Sequence, residues 1–367
     1  MKIVFVLPEI GVCGGVKAVF EFANCLQKKG HKVSIIYPFL FLYPSGKGYS
    51  FASKDLIKRL RGFLGRLYHN FLPMWFDLKT KPVRVPLLDE MFIPDADVVV
   101  ATSWPTAYYV KKYSSSKGEK FYLVQHYEIW DGPENLVNNS YKLGLKIIVN
   151  STWLKNTLEK RLDVKAESLI LHSPDLDQFY PDANFKNKQR NHLRILMCYR
   201  VEEWKGTDDG ILAFKIAREK CPNVSLVMFG LGKGKNVPDW VEFHKNPPQE
   251  KLREIYNSCD IFLFSSWHEG FGMPPMEAMA CKCAVVTTEV GAVPDYAIPN
   301  KTAIVCPPRS PQLLAEGLVK LIENRQLLNE IAEAGHKHVI ENFGWEKASN
   351  ELEKTFKRFL INITDRA

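Results

Sequence analysis

Short apolar runs recur along this chain, separated by longer stretches of helical period. KIVFVL leads through EIGVCGG into VKAVFEFANCLQKKG and then KVSIIYP. That order reads as strand, glycine turn, a helix closed by Gly30, and a second strand, which is a βαβ unit. ADVVVAT, KFYLVQ and LKIIVNS read as further strands of the same half. The polar, lysine-rich stretch PDANFKNKQRNH (181–192) reads as a linker. After it the alternation restarts: LRILMCYR, a helix through GILAFKIAREK, VSLVMFG, a helix through QEKLREIYNS, DIFLFSS, a short helix, and CAVVTT. GWEKASNELEKTFKRFL closes the chain as an amphipathic helix. Apolar runs interleaved with helices in this way mark parallel sheets buried on both faces, so the fold class is α/β with two doubly wound domains in tandem. Ligands of such sheets bind beyond the carboxyl ends of the strands. The glycine loops that follow strands, and the cleft between the two domains, are therefore the expected site.

A length of 367 residues suits two domains of roughly 150 to 200 residues. Hydrophobic residues at 46% and charged residues at 25% are an ordinary globular mix. No run reaches the ~18 to 20 apolar residues of a membrane span. MKIVFVLPEI is too short for a signal peptide and reads as a first strand. Eight cysteines are scattered without a C-x-x-C pair, which predicts reduced thiols in a cytoplasmic setting and no zinc site. The net charge of +8 is skewed: residues 1–180 hold 24 Lys and Arg against 17 Asp and Glu. An acidic partner is expected at that half.

Candidate chemistry gathers in the second half. Arg200 ends the strand LMCYR, and Lys205-Gly206 follow in RVEEWKG. Two cations between a strand end and a helix N-terminus suit an anion such as a diphosphate, or form a solvated surface pair. MFGLGKGK places Gly230, Gly232 and Gly234 after another strand, a pattern that a plain turn also produces. SSWHEGFGMPPMEAMA (265–280) sets Glu269 and Glu277 on either side of a glycine loop. Backbone amides from Gly270 through Phe271 and Gly272 to Met273 can cradle a phosphate at a helix start. Glu277 is expected in the first helical turn, where the macrodipole favours a carboxylate. A carboxylate also accepts two hydrogen bonds, and vicinal ribose hydroxyls donate two. Arg200, Lys205, the loop and the two glutamates together specify a phosphate between a ribose and a second polyol, which is a sugar nucleotide.

Glu269-x7-Glu277 within EGFGMPPMEAMA resembles the signature of retaining GT-B glycosyltransferases of family 4. RVEEWKG resembles that family's donor-diphosphate motif, and VNSTWLKNTL (149–158), VGAVPDY and ENFGW match it in place. EIGVCGGVKAVFEFANCLQKKGHKVSII resembles the family's opening, where Gly14 and Gly15 lie against the cleft. The likeness covers nearly the whole chain except roughly 40–95. It implies two Rossmann-like domains facing a central cleft: an acceptor-binding domain at 1–180, the linker 181–192, and a nucleotide-sugar-binding domain at 193–345. A final helix at 346–367 returns to the N-terminal domain. It implies that Glu277 holds the ribose, Glu269 the donor sugar, and Arg200 and Lys205 the diphosphate. His126, closing FYLVQH, matches the family's cleft histidine near the reacting centre; a histidine at a strand end is otherwise a structural residue. Cys281-Lys282-Cys283-Ala284, His172-Ser173-Pro174-Asp175 and Gly291-Ala292-Val293-Pro294-Asp295 depart from the family's pattern and leave the donor sugar unassigned.

Asp95-Ala-Asp97 and Asp175-Leu-Asp177 lie outside the donor domain, so no metal is expected there and the leaving diphosphate falls to Arg200, Lys205 and backbone amides. No cofactor is expected. Retention without an evident protein nucleophile implies front-face attack by the acceptor hydroxyl. A basic amphipathic stretch, KDLIKRLRGFLGRLYHNFLPMWF (54–76), reads as an interfacial helix on an anionic membrane surface or as an ordinary core-facing helix with a basic outer face. The membrane reading places the protein peripherally on the inner face of the cytoplasmic membrane, with a glycan or lipid-linked acceptor. Nucleic acid is not expected. Two other readings stay on the same fold: a sugar-nucleotide epimerase and a non-catalytic sugar-nucleotide-binding subunit. An NAD-dependent oxidoreductase is disfavoured because EIGVCGG lacks G-x-G-x-x-G and no acidic residue closes KVSIIYP.

Overall fold

In KIVFV (β1, Lys2–Val6) the four residues after Lys2 are buried, as a strand covered on both faces requires. The computed structural model describes residues 1–45, 48–50, 75–186 and 192–364. It divides into two compact units, one of residues 1–171 with the segment from Trp345 onward, the other His172–Gly344.

In the first unit β1 is flanked by β2 (Lys32–Pro38) and β6 (Val98–Ala101). β5 (Val83–Val85), β7 (Glu119–Val124), β8 (Lys146–Val149) and β9 (Ser168–Leu169) extend the sheet. Among the described residues its order is β5-β2-β1-β6-β7-β8-β9, all neighbours parallel. A separate antiparallel hairpin joins β3 (Tyr43–Ser45) to β4 (Gly48–Ser50). The core under the sheet holds Val99, Trp104, Tyr122, Val124 and Leu154.

The second unit repeats the plan with β10 (Leu193–Cys198), β11 (Val224–Gly230), β12 (Glu242–Lys245), β13 (Ile261–Phe264), β14 (Ala284–Thr288) and β15 (Ile304–Cys306). Their order is β12-β11-β10-β13-β14-β15, again parallel throughout. Strand order reverses on either side of β10, the doubly wound arrangement with a switch point between β10 and β13. The core holds Ile195, Met197, Phe214, Leu226, Leu263 and Val286.

The stretch read as a linker is partly ordered into the second unit. Ala183–Lys186 is a short helix, and Asp182 N–H donates to Asn257 Oδ1 at 2.8 Å. Phe179 meets the Tyr256 ring edge-on at 5.6 Å. The second unit thus takes in residues from His172, where the sequence puts the first domain's end at 180.

The final helix, Trp345–Thr364, belongs to the first unit. Trp345 meets Phe22 edge-on at 5.2 Å, and Phe356 meets Phe121 of β7 at 4.8 Å. Glu353 sits between Lys29 at 3.4 Å and His31 at 3.1 Å. Leu352 and Phe356 are fully buried, so this helix completes the first unit's core. Phe356→Ala should therefore cost about 3–5 kcal/mol of stability in denaturant unfolding. A loss below about 1 kcal/mol would show that the helix is not part of that core.

Candidate functional site

The loops after β10 and β13 are laced together at the switch point. Ser265 Oγ donates to the Gly206 carbonyl at 2.6 Å, and Trp267 N–H donates to the Trp204 carbonyl at 2.7 Å. Thr207 Oγ1 donates to the Arg200 carbonyl at 2.9 Å, closing the β10 loop on itself. Gly206 has φ +61°, and a Cβ there would fall 1.9 Å from the Ser265 carbonyl oxygen. Any side chain would push the loops apart. Trp267 Nε1–H donates to Asp209 at 2.7 Å, fixing the second loop to the helix Thr207–Lys220.

This contact brings the charged residues together. Lys205 Nζ donates to Glu269 Oε2 at 2.9 Å, with side chains 19% and 12% exposed, and Ser266 Oγ donates to Glu269 Oε1 at 2.8 Å. Both Glu269 oxygens are thus oriented by the protein. Arg200 is exposed at the start of the loop after β10. Cys198, closing β10, feels the charges of Arg200, Glu277, Glu269 and Lys205, and burial pushes its thiol up to about 12. A neutral thiol therefore lies within electrostatic reach of two cations and two carboxylates.

The glycine loop differs in one respect from the sequence expectation. The helix runs Met273–Ala280, so Glu277 falls in its second turn, not its first. The macrodipole does little there. Glu277 is instead 8% exposed and accepts from Tyr256 O–H at 3.0 Å. Pro274 and Pro275 bring no N–H to the first turn, which leaves that helix end's amide donors mainly to Gly270–Met273. Gly272 takes φ +81° at the helix cap, and Tyr296 O–H donates to its carbonyl at 2.7 Å. Phe271 is buried between the His172 ring at 5.0 Å and the Tyr296 ring at 5.8 Å, and burial drives His172 down to about 3, a neutral imidazole. Gly230 closes β11 against Tyr199, whose carbonyl a Cβ would meet at 2.7 Å. Its place is a packing contact.

In the first unit the residues picked from sequence are Gly14, Gly15 and His126. Gly14 and Gly15 open the helix Gly14–Lys28 after β1. Gln125 Nε2 donates to the Gly15 carbonyl at 3.1 Å, and Asn150 Nδ2 donates to the Gln125 carbonyl at 3.0 Å. The start of that helix is thereby joined to the ends of β7 and β8. His126 follows Gln125, its ring edge-on to Trp130 at 6.1 Å and near Trp153 at 5.9 Å.

Sequence reasoning missed Glu128 two residues on. Its carboxylate accepts from Trp104 N–H at 2.7 Å and Tyr122 O–H at 3.3 Å. Asp131 beside it accepts from Trp104 Nε1–H at 3.2 Å. Burial, with repulsion from Asp131, pushes the Glu128 carboxyl up to about 8. Tyr256, Ser266 and Gln125 were also missed; Ser266 alone had a spacing signal, three residues before Glu269.

Both Asp-x-Asp pairs do structural work. Asp97 accepts from Lys2 N–H at 2.6 Å, Asp95 pairs with Lys117 at 2.8 Å, and Asp175 accepts from Asp177 N–H at 3.1 Å. The basic segment 54–76 lies outside the described residues except for Trp75 and Phe76, whose rings stand 5.7 and 5.5 Å from Phe20. Among the described residues no helix is long and apolar enough to cross a membrane. No two of the eight cysteines are joined in a disulfide.

Two parallel Rossmann-like units, with cations and carboxylates at the second unit's switch point, define the GT-B fold. The Anabaena protein HepE, solved in complex with UDP-glucose, matches 98% of this chain and 100% of its own at a TM-score of 0.74 and 16% identity. Residues 181–338 match the family described as glycosyl transferases group 1. It is 26% identical over 233 residues to a glycosyltransferase of Methanocaldococcus jannaschii, across 60% of this chain and 59% of that one. It is 29% identical over 256 residues to the capsular polysaccharide biosynthesis glycosyltransferase CapM of Staphylococcus aureus, across 66% and 67%.

Glu128 makes a pH prediction. Its folded value of about 8 stands above the ordinary 4.5, so folding favours the protonated carboxyl. Its contribution to stability is full below about pH 4.5 and is lost as pH rises to about 8. Glu128→Gln should remove that slope and raise the urea midpoint at pH 8. The same pH dependence in wild type and variant would contradict it.

Proposed function

We propose that this chain is a retaining, family 4 glycosyltransferase. It moves a sugar from a nucleotide-sugar donor to a glycan or lipid-linked acceptor in cell-surface polysaccharide or glycolipid synthesis. The observation that carries this is the cluster at the β10–β13 switch point: Lys205 paired with Glu269 at 2.9 Å beside the buried carboxylate of Glu277. HepE holds UDP-glucose on the same fold, and CapM acts in capsule synthesis, which supports the donor class and the pathway type.

The roles follow from charge. Glu277 accepts from the ribose hydroxyls and Glu269 from the donor sugar. Arg200, Lys205 and the amides of Gly270–Met273 face the diphosphate, whose negative charge grows as the sugar's C1–O bond breaks. The acceptor oxygen attacks from the face that the diphosphate leaves, and its proton passes to the departing phosphate oxygen, so the anomeric configuration is kept. His126, on the acceptor-binding unit, serves near the reacting centre. With these cations on the leaving group, the reaction proceeds without a metal. The segment 54–76 carries five cations against one acidic residue, which suits an anionic leaflet and a lipid-linked acceptor on the inner face of the cytoplasmic membrane.

Purified protein supplied with labelled nucleotide sugars and a panel of lipid-linked and oligosaccharide acceptors should transfer label in excess EDTA. The product should keep the donor's anomeric configuration by proton NMR. Glu277→Ala should raise the donor KM about 10- to 100-fold, the weight of a hydrogen-bonded carboxylate. An inverted product would contradict retention. Donor consumption with no glycosylated product would contradict transfer.

A further inference from the structure

Tyr256 stands in the last turn of the helix Gln249–Asn257, fully buried. Phe179, Phe229 and Phe262 surround its ring at 5.6, 5.6 and 5.7 Å. A phenylalanine would suit this cage equally well. The hydroxyl is the group out of keeping, since burying it without a partner is unfavourable. Its O–H donates to Glu277 Oε2 at 3.0 Å, with the Pro274 carbonyl farther off at 3.5 Å. Burial and the Glu277 charge push the phenol well above its ordinary range, so it keeps its proton and acts as the donor. A glutamate side chain otherwise turns about three bonds, and ordering it costs entropy at the moment a ligand binds. A donor held on one oxygen sets the plane of the carboxylate beforehand.

We infer that Tyr256 is a positioning residue for the donor's ribose: its hydroxyl holds the Glu277 carboxylate in the orientation that accepts from vicinal 2′- and 3′-hydroxyls. Without touching the ligand, Tyr256 thereby sets the preference for a ribonucleotide over a deoxy form. This rests on the reading that Glu277 holds the ribose. Tyr256 is bound to Glu277 from a different helix, so the helix Met273–Ala280 alone does not fix that orientation.

The test is calorimetry with UDP, GDP and ADP and their 3′-deoxy counterparts, on wild type, Tyr256→Phe, Glu277→Gln and the double variant. Wild type should bind its best diphosphate about tenfold tighter than the 3′-deoxy form. Tyr256→Phe should weaken the ribo form severalfold and leave the 3′-deoxy form within about twofold, and it should add nothing in a Glu277→Gln background, as coupled residues do. Equal loss for both forms, or an unchanged preference, would reduce Tyr256 to packing and overturn the inference while leaving the ribose role of Glu277 intact. No preference in wild type would instead remove the ribose role itself, and the inference with it.

Discussion

Residue 206 has no room for a side chain because the backbone after β10 rests directly on the backbone after β13. The rest of the charged cluster depends on that contact. A lysine and a glutamate reach 2.9 Å here because Ser265 and Trp267 bind the two loops into one surface. Gly291 makes a second such approach: at φ +54°, its Cβ would fall 2.5 Å from the Glu269 carbonyl. Glycine at these two points sets the carboxylate and the cation in register, and the strands below supply only the platform.

Much of this was readable from the residues. The strand and helix pattern gave both sheets, because a parallel strand buried on two faces is a plain apolar run. Arg200, Lys205, Glu269 and Glu277 stand out since charged residues beside glycines at strand ends have little packing reason to be there. What stayed hidden was short or made by contact. β5 and β15 have three residues each, too few to show a period. Glu277 falls one turn later than expected because the helix already opens at Met273, before the proline pair. Tyr256 and Glu128 look like ordinary members of an amphipathic helix and a loop; what marks them is the carboxylate or the indole they meet across the fold.

The two units divide the chemistry unequally. The second carries opposite charges in direct contact, suited to a phosphate and its hydroxyl-bearing neighbours. The first carries neutral hydrogen-bond donors and aromatic rings around His126, with Glu128 and Asp131 bonded to Trp104. On the proposed reading, the second unit's charges would meet the donor and the first unit's neutral groups the acceptor. It also explains why the sequence motif in the second half was so much stronger than anything in the first.

The central claim, that the switch-point cluster grips a sugar nucleotide, is tested most directly by calorimetric titration of the full chain with UDP-, GDP-, dTDP- and ADP-sugars and with NAD. Wild type should show saturable binding of one sugar nucleotide and none of NAD. Lys205→Ala should bind it at least tenfold more weakly, as loss of a charge-assisted contact implies. Binding of NAD alone, or undiminished binding by Lys205→Ala, would contradict it.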